Sequence, residues 1–189
     1  MKVIFDFDDT LFSTKDFKKY FYSYVGKFGI SYESARDYYL NIRGGEFSLK
    51  KYLSDLLAQK GLMGVNVGKV YKDILSQCPN FIDHKLIKLV KKIGRENCYI
   101  VSNGEKEFQQ DKIKKSGIGK LFGDIHIVPA SKKEVIEKIC GKNKKERIIF
   151  IDDKIRFLND LDLKKCPNLK TILYDEQGLE KLKAELGLA

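Results

Sequence analysis

The sequence predicts an α/β protein: a three-layer α/β sandwich around a central parallel sheet, with a small α-helical domain attached. Short runs of β-branched and aromatic residues alternate with helical stretches, as in parallel strands that are buried on both faces. Three of these runs end in acidic residues or in a Ser-Asn-Gly turn, and open α/β sheets bind ligands at the carboxyl ends of their strands. The long stretch of chain between the first run and the second predicts the helical domain.

The apolar runs predict five strands, each bounded by polar or turn-forming residues. The strands are Val3–Phe5, Cys98–Val101, Asp124–Val128, Ile148–Ile151 and Lys170–Tyr174. Helices are predicted between and after them, because apolar residues recur there at helical spacing. The first of these helices leads into the strand at Cys98. The others are Glu105–Lys115, Lys132–Cys140, Lys154–Leu163 and Leu179–Leu186.

Residues 13–80 predict a separate helical domain, inserted into an α/β domain that residues 1–12 and 81–189 form. Aromatic residues recur at helical spacing from Phe17 to Phe28, and three further helical stretches follow, separated by glycines. Eight of the ten tyrosines lie in this insertion. We expect most of them to form the core of a thin helical bundle, and one or two to line a substrate pocket.

Acidic residues crowd at the end of the first strand, in the segment Asp6-Phe7-Asp8-Asp9-Thr10. Asp6 and Asp8 are two residues apart, so on an extended chain their side chains point the same way. Like charges at this separation require a bound cation or a raised pKa. The carboxyl ends of other strands add Asp152 and Asp153, and the residue Ser102 with its glycine turn. The sequence therefore predicts a site for metal or phosphate chemistry at this edge of the sheet.

This ordered set of motifs resembles the haloacid dehalogenase-like hydrolases. The Asp6–Thr10 segment is similar to their first signature, Ser102 to the second, Lys132 to the third and the pair Asp152-Asp153 to the fourth. The resemblance implies a Rossmann-like core, and it implies that residues 13–80 form a helical cap over the active site. Dehalogenases of this family lack the second acid of the first motif, so Asp8 favours phosphate esters as substrates.

The resemblance also assigns roles, which the chemistry of the side chains supports. Asp6 is expected to attack phosphorus, and Asp8 to act as general acid and then base, with a pKa raised toward neutrality by neighbouring carboxylates. Lys132 would place its charge beside the phosphoryl group and Asp6. The phosphoryl oxygens would be held by Ser102 and by the backbone around Asn103 and Gly104, and Thr10 and Arg43 complete the predicted substrate contacts.

A magnesium ion is the expected cofactor. Its predicted ligands are the Asp6 carboxylate, the backbone carbonyl of Asp8 and the carboxylate of Asp153, together with Asp152. These ligands are all oxygen atoms, which Mg²⁺ prefers, and neither histidine nor cysteine occurs in the motifs to indicate zinc. The family likewise uses Mg²⁺.

Several assignments have a structural alternative. Only one of Lys132 and Lys133 can face the site, and the family spacing favours Lys132. Asp9 is expected to accept backbone N–H groups at the start of the next segment. Residues 159–160 are expected either to support the site or to cap a helix. The segment 43–45, Arg-Gly-Gly, either contacts an anionic substrate or ends a helix with a surface arginine.

Composition narrows the classes of partner. The net charge is +10, with +5 in residues 13–80 and +5 in the remainder, so no basic block indicates nucleic-acid binding, but a diffuse positive field attracts phosphorylated substrates. No apolar run approaches the ~18 residues of a membrane span, so we expect no membrane partner. The four cysteines form no Cys-x-x-Cys pair and Asp6 interrupts any signal segment, which favours a cytoplasmic protein with reduced thiols. The oligomeric state is left open.

The sequence thus predicts a Mg²⁺-dependent phosphatase that hydrolyses a small phosphorylated metabolite through an aspartyl-phosphate on Asp6. Two alternatives use the same kind of apparatus. A phosphomutase would move phosphate between positions of a sugar. A receiver-type signalling domain would hold phosphate on an aspartate, but it takes that aspartate from a later strand end, and here the strand Asp124–Val128 ends in Pro129-Ala130. Sugar phosphates, nucleotides, small phosphorylated acids and phosphorylated amino acids all remain candidate substrates.

Overall fold

Five parallel strands form a single central sheet in a computed structural model that describes residues 1–42 and 47–188. The strands are β1 (Lys2–Phe5), β2 (Cys98–Asn103), β3 (Asp124–Val128), β4 (Ile148–Asp152) and β5 (Leu169–Leu173). Their order across the sheet is β3-β2-β1-β4-β5, so β1 lies at the centre, where the strand order reverses. The predicted α/β fold with a parallel sheet is confirmed, and this reversal is where such sheets place their ligands.

The register of the strands brings their carboxyl ends level with one another. Phe5, the last residue of β1, pairs with Ile100 of β2 on one side and with Ile151 of β4 on the other. The backbone N–H of Asp6 continues this ladder by donating to the Ile151 carbonyl at 2.9 Å. Asp6 therefore leaves the sheet beside Asp152, the last residue of β4.

Helices cover both faces of the sheet and give it three layers. They are α5 (His84–Ile93), α6 (Lys106–Ser116), α7 (Lys133–Lys142), α8 (Ile155–Asn159) and α9 (Gly178–Glu185). Side chains of β1 alternate between two apolar clusters: Val3 and Phe5 pack with α5 and α6, while Ile4 packs with α7 and α8. All three side chains are fully buried. This two-sided burial explains why β1 is apolar without interruption.

The helix α8 is shorter than the predicted helix Lys154–Leu163. The backbone N–H of Asp160 closes the last turn of α8 on the Arg156 carbonyl. The Asp162 carboxylate then accepts the backbone N–H of Lys164 at 3.0 Å, which is a local turn that competes with helix. The sequence pattern could not reveal this competition, because the apolar residues Leu158 and Leu161 keep helical spacing through the turn.

Residues 13–80 contain four α-helices within the described part of the chain. They are α1 (Thr14–Tyr24), α2 (Tyr32–Ile42), α3 (Leu49–Gln59) and α4 (Val67–Leu75). Polar side chains start three of them, since Ser13, Ser48 and Asn66 each accept a backbone N–H of the first turn. The Tyr52 ring is fully buried, and its hydroxyl donates to the Ala35 carbonyl at 2.8 Å. The buried apolar side chains of these four helices form one cluster with those on the face of the sheet that α5 and α6 cover.

None of the helices found in residues 1–42 and 47–188 is both long enough and apolar enough to span a membrane.

Candidate active site

The loop after β1 turns sharply and separates the two acids of the first motif. Asp9 has a φ of 57°, in the left-handed region, and its backbone N–H donates to the Phe12 carbonyl at 2.7 Å. The Asp9 carboxylate accepts the backbone N–H of Lys15, as the sequence predicted. Because β1 ends at Phe5, the alternation of a strand does not extend to Asp8. Asp6 and Asp8 contact different lysines, and each lysine defines a centre of its own.

The Lys132 centre joins the ends of β1 and β4. The Lys132 ammonium is 2.5 Å from Asp6 Oδ1 and 2.6 Å from Asp152 Oδ2, and its side chain is 1% exposed. Lys132 immediately precedes α7, whereas Lys133 is the first residue of that helix and is only half-buried. The structure therefore places Lys132, and not its neighbour, against the two acids. The Thr10 hydroxyl faces the other oxygen of Asp6 at 3.5 Å.

The electrostatics of this centre are dominated by burial. Burial raises the pKa of Asp6 against the opposing charge of Lys132, and with the added effect of the Asp152 and Asp8 charges the pKa is about 7. One ammonium cannot compensate two buried carboxylates completely. The centre therefore has an excess of negative charge that a cation would neutralise.

Three carboxylates could hold that cation, since oxygen atoms of Asp6, Asp152 and Asp153 lie within 4.8 Å of one another. Asp152 has both oxygens in use, because Oδ1 accepts the backbone N–H of Lys154 and Oδ2 accepts from Lys132. Asp153 differs: its Oδ1 is buried and has no hydrogen-bond partner among the described residues. Burial also raises the pKa of Asp153. Its nearest charge partner, the Lys154 ammonium, is 3.8 Å away, beyond hydrogen-bond distance. A buried carboxylate oxygen beside Asp6 that accepts no hydrogen bond fits a hard divalent cation such as Mg²⁺.

The Lys112 centre holds Asp8. The Lys112 ammonium is 2.5 Å from Asp8 Oδ1 and only 2% exposed, and the amide of Gln109 donates to Asp8 Oδ2 at 2.5 Å. The Thr14 hydroxyl, at the start of α1, also donates to Asp8. Burial raises the pKa of Asp8, but the Lys112 charge and these three hydrogen bonds outweigh it and lower the pKa to about 2. The expectation of a raised pKa at Asp8 is therefore wrong.

Sequence reasoning missed Lys112 and Gln109, although the sequence carried a signal for them. Both belong to the face of α6 that is buried, and the other residues of that face are Phe108, Ile113 and Ser116. Lys112 lies one helical turn after Phe108 and next to Ile113, which places it on the apolar face. Its Nζ lies 4.9–5.4 Å from the ring centroids of Phe108, Phe7 and Phe12. The neighbouring lysines 114 and 115 made the whole stretch look solvated.

In the loop after β2 one predicted phosphate contact has a free donor, while the Gly104 N–H and the Asn103 side-chain amide are used within the protein. The Ser102 hydroxyl is fully buried and has no partner within the described residues, so it is free to donate to a ligand. By contrast, Gly104 uses its N–H to donate to the Val128 carbonyl, and the Asn103 amide donates to the carbonyls of Val128 and Ala130. These two groups fix β2 to β3 and are not available to a phosphoryl oxygen.

Gly104 is required at its position by Gln109. It has a φ of 147°, and a Cβ there would lie 2.7 Å from the Gln109 amide nitrogen. That amide also donates to the Asn103 carbonyl at 3.0 Å. The glycine therefore admits the side chain that holds Asp8, which is a different reason from the close approach of a ligand.

Three predicted residues remain: Asp160, Asn159 and Arg43. The Ser131 hydroxyl donates to the Asp160 carboxylate at 2.5 Å and accepts the Lys133 backbone N–H at 3.1 Å. Asp160 therefore stabilises the turn that presents Lys132. Asn159 is exposed at the end of α8. Arg43, with the glycines that follow it, lies outside the described residues.

A cavity of about 420 Å³ opens onto the two acids Asp8 and Asp9. It extends from the β2–α6 loop at Gly104 toward α1, α2 and Phe47 of the insertion. A larger cavity, of about 850 Å³, lies along β3 and α6 and contains none of the motif residues. The chemistry of its lining, rather than its size, identifies the first cavity as the candidate active site.

Comparison with known proteins gives structural matches only. No protein-family model and no curated protein matches the sequence. A protein from Burkholderia xenovorans LB400 described as a haloacid dehalogenase-like hydrolase is similar over 95% of this chain and 89% of its own, with a TM-score of 0.68 and 18% identity. The HAD phosphatase from Thermococcus onnurineus matches over 99% and 98%, with a TM-score of 0.58 and 17% identity.

A third similar structure contains bound magnesium. It is a protein from Bacillus subtilis described as a HAD hydrolase bound to magnesium, with a TM-score of 0.59, 18% identity and coverage of 98% of this chain and 97% of its own. These matches span nearly the whole of each chain. Together with the strand order and the position of the acids, they show that this chain has the fold of the haloacid dehalogenase-like hydrolases.

Proposed function

We propose that this protein is a Mg²⁺-dependent phosphatase that hydrolyses a small phosphorylated metabolite through an aspartyl-phosphate on Asp6. One observation carries the proposal. Asp6 lies at the reversal of strand order, 2.5 Å from a buried lysine and beside an oxygen of Asp153 that accepts no hydrogen bond and has only the Lys154 ammonium, 3.8 Å away, as an ion-pair partner within the described residues. A nucleophilic carboxylate, a fixed positive charge and a cation site are the three elements that phosphoryl transfer through an aspartate requires.

In the first step an oxygen of Asp6 attacks the phosphorus of the ester. The bond between that oxygen and phosphorus forms, the bond from phosphorus to the ester oxygen breaks, and the leaving oxygen takes a proton from Asp8. The Lys132 ammonium and the free Ser102 hydroxyl would stabilise the phosphoryl oxygens as charge develops on them. This step starts from protonated Asp8, a form that the Lys112 charge disfavours.

In the second step water attacks the same phosphorus. Asp8 takes the proton of that water, the bond from Asp6 to phosphorus breaks, and inorganic phosphate and the free Asp6 carboxylate result. The Lys112 charge lowers the pKa of Asp8 and so favours the ionised form that this step needs, and Lys112, Gln109 and Thr14 fix its orientation. The sum of both steps is an ester plus water giving an alcohol plus phosphate.

The donor set fits Mg²⁺, which would be held by Asp6 and Asp153 and, as the sequence predicted, by the backbone carbonyl of Asp8. When bound, the ion neutralises charge on the phosphoryl group and keeps the Asp6 carboxylate ionised. Asp152 would act through Lys132, because both of its oxygens are already hydrogen-bonded. In this proposal residues 13–80 form the cap that covers the reacting group.

The test is release of phosphate from a panel of metabolite monophosphates, with and without Mg²⁺, by the wild-type chain and by Asp6→Asn. We expect metal-dependent release that falls at least about 10³-fold in the variant, because its amide cannot attack phosphorus. Release that Asp6→Asn leaves unchanged would contradict the proposal. Isomerisation of a sugar phosphate without net release would replace it with the phosphomutase function.

A further inference from the structure

The cavity that opens onto Asp8 and Asp9 has a wall of aromatic rings that the reaction itself does not need. Five aromatic side chains from separate parts of the chain line it: Phe17, Phe21, Tyr39, Phe47 and Phe108. Their rings contact one another, with centroids 5.1 Å apart for Tyr39 and Phe47 and 5.8 Å apart for Phe47 and Phe108. The wall is therefore continuous from α6 of the core to α2 of the insertion.

The members of this aromatic wall are not equally accessible. Phe17 and Phe21 line the cavity but are only 1% exposed, so they present little surface to a ligand. Tyr39 and Phe47 are half-buried and lie on the cavity. Tyr38, the neighbour of Tyr39 on α2, does not line the cavity, and its hydroxyl is bound to Asp55 at 3.1 Å. Tyr39 therefore presents its ring to the cavity, whereas Tyr38 has a packing role.

Tyr39 also has a cation beside it. The Lys18 ammonium lies 4.8 Å from the centre of the Tyr39 ring and lines the same cavity. Across residues 1–42 and 47–188, Lys18 forms no ion pair with a carboxylate. The cavity thus combines aromatic faces with the Lys18 ammonium of α1, whereas the two other lysines that line it, Lys112 and Lys154, are paired with Asp8 and Asp153. Aromatic faces bind other aromatic rings in offset or edge-to-face contact, and the cation suits an electron-rich substituent of such a ring.

We propose that the aromatic wall is a specificity subsite and that the substrates are phosphate monoesters of alcohols attached to a compact aromatic ring. This inference rests on the proposed phosphatase function and narrows its substrate class. A volume of about 420 Å³ is at the lower end of small-molecule pockets, roughly 300–1,000 Å³, and accommodates one substituted ring with its phosphate. A sugar of similar size would place several hydroxyls against apolar rings without hydrogen-bond partners.

The experiment compares two primary-alcohol esters, pyridoxine 5′-phosphate and ribose 5-phosphate, which differ in aromaticity but not in the type of leaving group. The kcat/KM of each is measured with Mg²⁺ for the wild-type chain, Tyr39→Leu, Phe47→Leu and the control Tyr38→Leu. We expect the wild-type chain to favour the pyridoxine ester at least about tenfold. Tyr39→Leu and Phe47→Leu lower this ratio, chiefly by raising KM for the aromatic ester, while Tyr38→Leu leaves the ratio unchanged.

Equal or better turnover of the ribose ester by the wild-type chain overturns the subsite but keeps the phosphatase function. The same holds if Tyr39→Leu lowers both values of kcat/KM by the same factor. If neither ester releases phosphate, calorimetric binding of pyridoxine 5′-phosphate to the Asp6→Asn chain decides between the two claims. If the Asp6→Asn chain binds the ester and adding Tyr39→Leu weakens that binding, the subsite is supported without the phosphatase function. Absence of binding rejects the subsite.

Discussion

Two buried lysine–aspartate centres meet at the carboxyl end of the sheet and have opposite effects on their acids. In both, an ammonium lies 2.5 Å from a carboxylate oxygen and the lysine is at most 2% exposed. Yet the pKa of Asp6 is raised to about 7, while that of Asp8 is lowered to about 2. The contact between the charges is the same, so their surroundings decide the outcome.

The difference lies in how many donors serve each acid. Lys132 is shared between Asp6 and Asp152, and among the side chains of residues 1–42 and 47–188 Asp6 has otherwise only the long contact from the Thr10 hydroxyl. Lys112 serves Asp8 alone, with Gln109 and Thr14 as further donors. The first centre is short of positive charge, as expected of a site that binds a cation, and the second is complete without one. A lysine beside an aspartate is therefore not by itself evidence of a stable ion pair.

The largest expected effect is on the pH dependence of stability. The pKa of Asp6 in the folded chain lies above its ordinary value of 3.8, so the folded state binds the extra proton. In the absence of divalent cations, the contribution of Asp6 to the free energy of unfolding is greatest below pH 4. It falls by up to about 4 kcal/mol as the pH rises to about 7. Urea denaturation between pH 4 and 8 measures this slope.

The control for the pH effect is Asp6→Asn, in which this side chain cannot titrate, so the slope should be smaller; the Asp153 carboxyl, whose pKa is also raised, still contributes with the same sign. Asp8 contributes with the opposite sign in a separate window, since its stabilisation is present above pH 4 and is lost as the pH falls through about 2. An equal slope in the wild-type chain and in Asp6→Asn would show that Asp6 is not the titrating group.

Removing Lys132 is expected to have the next largest effect. Lys132→Met leaves Asp6 and Asp152 buried without a counter-charge, and we expect it to lower the free energy of unfolding by about 3 kcal/mol and the turnover at least about 100-fold. Lys133→Met is the matched control, since its side chain forms no ion pair within the described chain, and it should change stability by less than about 0.5 kcal/mol. Equal losses in both variants would contradict the account.

Removing Lys112 is expected to have a smaller effect, because Gln109 and Thr14 continue to donate to Asp8. Lys112→Met should destabilise the chain by about 2 kcal/mol and raise the pKa of Asp8, whereas Lys112→Arg should restore part of the loss. Lys115→Met, exposed on the same helix, is the control for helix propensity. The pKa of Asp8 is followed by NMR of its carboxyl carbon, and an unchanged pKa would show that Lys112 does not set it.

The smallest expected effect concerns the hydroxyl of Thr14, which connects the first helix of the insertion to Asp8. Thr14→Val keeps the shape of the side chain and removes the donor, so we expect a loss of about 1 kcal/mol in the free energy of unfolding. The pKa of Asp8 should rise less than in Lys112→Met. A larger rise than in the lysine variant would reverse the ranking of the donors.

The sequence predicted the Lys132 centre because its acids follow apolar strands, and the positions after strands are readable from the pattern. Asp6, Lys132 and the pair Asp152-Asp153 come together as expected. The Lys112 centre was not predicted, because the charged residues around Lys112 are typical of a solvated helix, although its spacing from Phe108 places it on the apolar face. The roles of Gly104 and Asn103 also depend on partners in α6 and β3 that only the folded chain brings within reach.

The central claim is that Asp6 carries the phosphoryl group, and trapping that group tests it most directly. The wild-type chain is mixed with Mg²⁺ and a phosphate ester that it hydrolyses, and the reaction is quenched with acid during turnover. The protein is then digested and its peptides are analysed by mass spectrometry. We predict one phosphoryl group on the peptide that contains Asp6, and none on the same peptide of Asp6→Asn. A phosphoryl group on another residue, or turnover that Asp6→Asn retains, would contradict the account.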